Sequence, residues 1–258
     1  MITTEQDKWA QSLAQWAIPK EILEQAQESP WIHPPALFGV PHQIEMTPSH
    51  RRAIEVMPEG GSLLDVGCGG GIAAFAVTPR AAHVIGVDHQ SEMLEMFSAN
   101  AKSRNVTSEV YEGFWSDISS EVPQADVVAT HHVVYNVADI GPFIQELDAH
   151  ARNRVVIEMP TQHPLASMSD AWKHFWNVDR PSGPTPQDLM LVLKELGINA
   201  ELEIWNGQMR VDRDLDEAAK FMRIRLCLPQ ARESEVRDFL ANSPVPSGRE
   251  LATIWWDK

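Results

Sequence analysis

The chain is poor in cysteine, in long apolar stretches and in positive charge, and each shortage excludes something. Only Cys68 and Cys227 occur in 258 residues, far apart and without metal-ligand spacing, so neither a disulfide framework nor a zinc site is indicated and a reducing, cytoplasmic setting is expected. No apolar run reaches the roughly 18 residues needed to span a bilayer. Near the N-terminus Glu5, Asp7 and Lys8 stand among polar residues where a leader peptide would be apolar, so a soluble protein with no membrane partner is expected. Lys and Arg number 21 against 36 Asp and Glu, a formal net charge of -15, and no basic stripe interleaved with aromatics is present. Polyanion binding draws most of its affinity from Lys and Arg on phosphates, so a nucleic-acid partner is not expected.

What is present is a strand that empties into glycine. Leu63-Leu64-Asp65-Val66-Gly67-Cys68-Gly69-Gly70-Gly71 places an acid two residues before the first glycine of a Gly-x-Gly-x-Gly run. Glycines there let the main chain turn sharply and approach a ligand, and the following helix offers free N–H groups to an anionic group. A second strand, Val84-Ile85-Gly86-Val87-Asp88, ends in an acid at about the 20-residue separation that places a carboxylate on ribose hydroxyls. A nicotinamide-dependent oxidoreductase is the enzymatic rival. It is opposed by Ile72 where that fingerprint wants its third glycine, and by the lack of a clear Tyr-x-x-x-Lys pair. A regulatory module that keeps the fold without turnover is a third reading.

Asp65-Val66-Gly67-Cys68-Gly69-Gly70-Gly71 with Gly86-Val87-Asp88 resembles the first and second motifs of the Rossmann-like, class I S-adenosylmethionine-dependent methyltransferases. The resemblance covers most of Leu63 to Met159. It implies an α/β fold with a seven-stranded, mostly parallel sheet, helices on both faces and the last strand antiparallel. S-adenosylmethionine would be the cofactor and S-adenosylhomocysteine the product. On this resemblance Gly67, Gly69 and Gly71 wrap the methionine and ribose portions and Asp88 takes both ribose hydroxyls. Asp65 steadies the loop or meets the cofactor's amino group, Cys68 is a small residue within it, and His89 lies along the adenosine. Many relatives have an acid after strand three that bonds the adenine amino group. This chain reads Glu112-Gly113-Phe114-Trp115 there, so backbone near Phe114 or a stacking Trp115 is the expected substitute. The Asn-Pro-Pro-Tyr type motif of nucleic-acid amino-methyltransferases is replaced by Thr130-His131-His132-Val133-Val134-Tyr135, which favours a small-molecule acceptor.

The periodicity agrees with alternating strands and helices. Strands are expected at Leu63–Val66, His83–Val87, Ser108–Tyr111, Asp126–Ala129, Arg154–Glu158, Ala200–Trp205 and Ala252–Trp256. Helices are expected over Glu92–Ser103 with Ser91 as N-cap, Phe143–Ala151, Thr185 to Gly197, Leu215 to about Leu228 and Glu233–Leu240. Residues 1–58 read as a helical cap opened by Thr3 or Thr4, and 59–258 as the cofactor domain with a helical insertion at about 213–241.

The end of strand four carries the candidate chemistry. Thr130 and His131 are expected beside the methionine end, with Tyr135 further on. His131 or His132 is the candidate base where a hydroxyl or protonated amine must lose its proton. The two histidines alternate in direction, so at most one faces the pocket. His163 is a further candidate, and Trp31, His33, Trp172 and Trp176 are candidate walls of an acceptor pocket. The tryptophans Trp9 and Trp16, at helical spacing, read as core or as pocket wall.

Overall fold

The computed structural model describes residues 3–31, 39–78, 80–207, 214–244 and 248–258. Seven strands form one sheet: β1 (Gly61–Val66), β2 (Ala81–Asp88), β3 (Thr107–Glu112), β4 (Ala125–His131), β5 (Ala151–Pro160), β6 (Glu201–Gly207) and β7 (Arg249–Asp257). Their order is β3-β2-β1-β4-β5-β7-β6. The first five are parallel, while β7 runs antiparallel to both β5 and β6. This is the sheet the sequence leads one to expect, with strands extending up to three residues beyond either end of their apolar runs, except that β6 begins at Glu201, one residue after the expected Ala200.

The central strands read as unbroken apolar runs because both faces are covered. Successive side chains point to opposite sides, so Leu64, Ile85, Val128 and Val155 join one core while Leu63, Val84, Val127 and Val156 join the other. The first core is roofed by α1 (Glu5–Ala14), α7 (Ile140–His150) and α9 (Pro186–Glu195), which contribute Trp9, Ile144, Leu147 and Leu189. The second lies under α3 (Pro48–Val56), α4 (Ile72–Ala76) and α5 (Ser91–Ser103), through Met57, Phe75 and Phe97. A smaller core joins α2 (Lys20–Leu23), α8 (Ser169–Trp176), α10 (Leu215–Arg225) and α11 (Glu233–Asn242) through Ile22, Trp172, Leu226 and Val236. There Arg223, almost fully buried, ties α10 to Glu233 and Glu28. A short helix, α6 (Trp115–Ile118), follows β3.

Three helices start where a hydroxyl-bearing residue signals it: Thr4, Thr47 and Thr185 each form a reciprocal cap with the residue three positions on. At α5 the expectation needs correction. The cap position is Gln90, without a side-chain bond, and Ser91 is already helical. Trp9 is buried in the core with its indole N–H on the carbonyl of Val137. Trp16 is buried too, stacked on His163 at 4.2 Å between ring centres.

Strands adjacent in space but reversed in order meet at β1 and β4, the switch point beyond whose carboxyl ends a parallel sheet opens its ligand crevice. Among the described residues, no helix is long and apolar enough to cross a membrane.

Candidate active site

The loop after β1 is held in one shape from behind. The amides of Gly67 and Cys68 both donate to the carbonyl of Val87, at 2.8 and 3.0 Å, which ties the carboxyl ends of β1 and β2 together. The side chain of Asn100 on α5 donates to the carbonyl of Gly70 at 3.0 Å. Gly67 and Gly71 have φ of 73° and 95°, a left-handed region that side-chain-bearing residues rarely adopt. A Cβ at Gly67 would stand 2.3 Å from Val133 Cγ2, so the turn after β4 sits directly against the glycine loop.

Asp88 closes β2 with its carboxylate at that loop. Oδ2 accepts the amide of Gly69 and Oδ1 that of Gln90, each at 3.0 Å. Two amides occupy half of a carboxylate's acceptor sites, which leaves capacity for a paired donor such as a vicinal diol. The ring of His89 stacks on Phe114, with centres 4.8 Å apart and planes 13° apart, and Phe114 is 60% exposed. An exposed aromatic face beside a carboxylate with free acceptor sites can serve as a platform for a planar base. Trp115 cannot share that role as expected from the sequence. It is buried in the first core, edge-on to His150.

Asp65 lies behind the loop, 1% exposed, and accepts the amide of Ala74 at 3.2 Å, so it anchors the start of α4. Burial, and secondarily Asp88, raises its carboxyl to about 8. Of the two roles expected for it, the contacts are those of loop support. Cys68 is buried and burial pushes its thiol well up, which leaves it without nucleophilic character.

At the end of β4 the structure sorts the expected residues. Thr130 is wholly buried and its hydroxyl donates to the carbonyl of Val66 at 2.9 Å, so its side chain joins strands and does not face the crevice. His131 stacks on His50 of α3, with centres 5.4 Å apart, and burial lowers it to about 3. A ring that stays neutral to such acidity is too weak a base for proton removal near neutrality. His132 has φ of 62°, an unusual conformation for a non-glycine residue, and its Nε2 lies 3.2 Å from Glu158 Oε1. Its Nδ1 is buried without a hydrogen-bond partner.

Glu158, 5% exposed near the end of β5, is the member of this group that sequence reasoning missed. Burial pushes its carboxyl up, but His131, His132 and the hydroxyl of Ser49 outweigh that and hold it well below the usual carboxylate range. Its Oε2 also accepts the hydroxyl of Thr47 at 3.0 Å. Because His131 is neutral, the charge of Glu158 rests on these hydrogen bonds and on His132. α3 is pinned above by Ser49, whose hydroxyl is 2.6 Å from that of Thr253 on β7. The available signal was an acid inside the apolar run Val155-Val156-Ile157-Glu158-Met159.

Tyr135 packs edge-on to His163, and burial raises its hydroxyl to about 12. Trp31 and Trp172 line one small cavity with Leu165, Met168 and Arg180, beyond the end of β5. Trp176 is not part of it. Its indole donates to the carbonyl of Leu226 at 2.7 Å and serves the third core. His33 lies outside the described residues. A broader groove lined by Phe75, Ala82, Arg104 and Thr107 opens at the amino ends of β2 and β3, the edge away from all of these groups.

A family model described as a methyltransferase domain matches residues 64–157, the segment from β1 through β5. The chain is 25% identical over 210 residues to an uncharacterised protein of Haemophilus influenzae, a match spanning 76% of each chain. It is 31% identical over 135 residues to the ubiquinone biosynthesis O-methyltransferase of Leptothrix cholodnii, covering 50% of this chain and 57% of that one. Among solved structures, a SAM-dependent methyltransferase from Archaeoglobus fulgidus superposes with a TM-score of 0.50 at 16% identity, over 81% of this chain and 90% of that one.

Proposed function

We propose that the chain is a class I S-adenosylmethionine-dependent methyltransferase that methylates a hydroxyl group of a small-molecule acceptor with His132 as the base, a reading supported by the methyltransferase-domain match over residues 64–157. The residues present fit the cofactor. The left-handed glycines leave the approach to the loop free of side chains, Asp88 keeps acceptor sites for the ribose diol, and Phe114 with His89 offers the adenine a flat face. When bound, S-adenosylmethionine supplies a methyl group on a sulfonium, already attached to an excellent leaving group.

The protein's contribution is therefore alignment, exclusion of water and management of one proton. The observation that carries the base is the pairing of His132 with Glu158. A carboxylate at 3.2 Å from Nε2 places that nitrogen's proton on the Glu158 side and leaves the lone pair on Nδ1. The imidazole takes the acceptor's hydroxyl proton at Nδ1, which is covered in the unliganded chain and must be uncovered when the acceptor binds, and the charge that develops on the ring is balanced by Glu158. Nothing in this pair resembles a phosphate-reading surface, and the net charge of -15 supports a small molecule over a nucleic acid.

The reading is tested by incubating the protein with methyl-labelled S-adenosylmethionine and a set of phenols, enols, amines and thiols. Transfer to hydroxyl acceptors that fails in His132→Ala, while S-adenosylhomocysteine still binds that variant, supports it. Equal transfer to hydroxyl acceptors by His132→Ala and the wild type would remove the base.

A further inference from the structure

Arg249 opens β7 beside Gly207 of β6, two residues before Leu251 pairs with Pro160 at the carboxyl end of β5. It therefore stands at the same end of the sheet as His132 and Glu158. Its guanidinium is half-buried, Nη2 is fully buried without a hydrogen-bond partner, and among the described residues no carboxylate lies within ion-pair distance of it. The setting makes this unusual. Acidic residues outnumber basic ones 36 to 21. Two other arginines with buried side chains each hold two carboxylates, Arg154 with Glu55 and Asp257, Arg223 with Glu28 and Glu233. A charge taken from water without a counter-charge is disfavoured unless something else supplies one.

The groups around Arg249 supply none at contact distance. Tyr135 and Glu158 lie within its electrostatic reach, and burial, not a partner, governs its guanidinium. His163 feels both Arg249 and a second guanidinium, Arg180, which donates to the main-chain carbonyls of Trp16 and Ala17 and to no acid among the described residues. Arg180 also lies over the rings of Trp16 and Trp172, 5.2 and 5.1 Å from their centres. Arg180 thus lines the small cavity beyond β5, while Arg249 stands within electrostatic reach of Tyr135, His163 and Glu158, the partner of the proposed base.

We propose that Arg249 binds a carboxylate of the methyl acceptor, so that the substrate is a hydroxy acid held by its acid group while its hydroxyl is turned toward His132. A guanidinium presents two parallel N–H donors that match a carboxylate in one plane, which fixes orientation as well as charge. The placement of the hydroxyl rests on the methyl-transfer reading; the anion site itself does not.

The test uses full-length protein saturated with S-adenosylhomocysteine and titrated with matched acids and amides: benzoate and benzamide, 4-hydroxybenzoate and 4-hydroxybenzamide, with phenyl phosphate as a third arm. Wild type is expected to bind the acids at least tenfold more tightly than the amides. Arg249→Met should lose that preference, keep its affinity for S-adenosylhomocysteine within twofold, and unfold without ligand at the same or a higher temperature, because an unpaired buried charge is gone. Arg249→Lys should retain part of the preference. Equal binding of acids and amides by the wild type, a preference that survives in Arg249→Met, or failure of Arg249→Met to fold would overturn the proposal. Tighter binding of phenyl phosphate than of benzoate would overturn the carboxylate assignment. Failure of S-adenosylhomocysteine to bind would instead count against the methyl-transfer reading, and the same acid and amide titrations on the unliganded protein would still decide the anion site.

Discussion

Glu158 Oε1 lies 3.2 Å from His132 Nε2 while Oε2 of the same carboxylate takes the hydroxyl of Thr47 at 3.0 Å, so one buried acid joins the ends of β4 and β5 to the start of α3. The pair predicts a graded loss of activity. His132→Ala should lower kcat by about 10²- to 10⁴-fold, the usual contribution of a positioned base. Glu158→Gln should cost about 10- to 100-fold, as for other groups that orient a functional histidine. Steady-state kinetics with the labelled cofactor, and titration of S-adenosylhomocysteine into both variants, check this. Cofactor affinity should stay within a few-fold of the wild type.

Two of the left-handed glycines, nearly equal in φ, separate strain from crowding. Gly60, with φ of 72°, has open space where a Cβ would stand, whereas at Gly67 that atom meets Val133 at 2.3 Å. Gly60→Ala should cost about 1 to 2 kcal/mol from backbone strain alone. Gly67→Ala should cost a further 1 to 3 kcal/mol or so from overpacking. Thermal unfolding of the two variants measures the difference, and S-adenosylhomocysteine binding should weaken only in Gly67→Ala.

Asp65 sets a pH dependence of stability. The folded chain keeps its proton up to about 8, whereas the unfolded carboxyl loses it near pH 4, at about 3.9. Between those limits the folded state binds more protons than the unfolded one, so stability present below about pH 4 drains away as pH rises toward 8. Asp65→Asn keeps an acceptor for the amide of Ala74 and removes the titration. Its melting temperature should match the wild type near pH 4 and exceed it progressively up to pH 8.

Phe114 and its neighbour Trp115 should part company. Phe114 is exposed and touches His89, so Phe114→Ala should leave the melting temperature nearly unchanged and weaken S-adenosylhomocysteine by about tenfold, the worth of a stacked ring. Trp115→Ala empties a core position and should cost about 3 to 5 kcal/mol of stability.

The sheet is legible in the sequence because its strands are buried on both faces, so Leu63–Val66 or Val84–Val87 read as short apolar runs with glycine and acid at their carboxyl ends. The glycine loop proposed for the cofactor is legible for a related reason: Gly67, Gly71 and Asp88 act locally, through backbone freedom and strand-end position. The acceptor side is not. Thr130, His131 and His132 are adjacent in sequence, yet only the folded chain shows that the first bridges strands, the second packs on His50 and the third meets Glu158. That last contact joins residues on different strands, and Thr47 comes from 111 positions away. Arg249 has no local signature either, since its meaning lies in the lack, among the described residues, of a carboxylate within ion-pair distance.

The most direct measurement is calorimetric titration of S-adenosylhomocysteine into the wild type and Asp88→Ala. The account predicts saturable one-to-one binding to the wild type and a loss of about a hundredfold in the variant, since two hydrogen bonds to a charged acceptor are removed at about 1.5 kcal/mol or more each. No binding to the wild type, or equal affinity in both proteins, would contradict it.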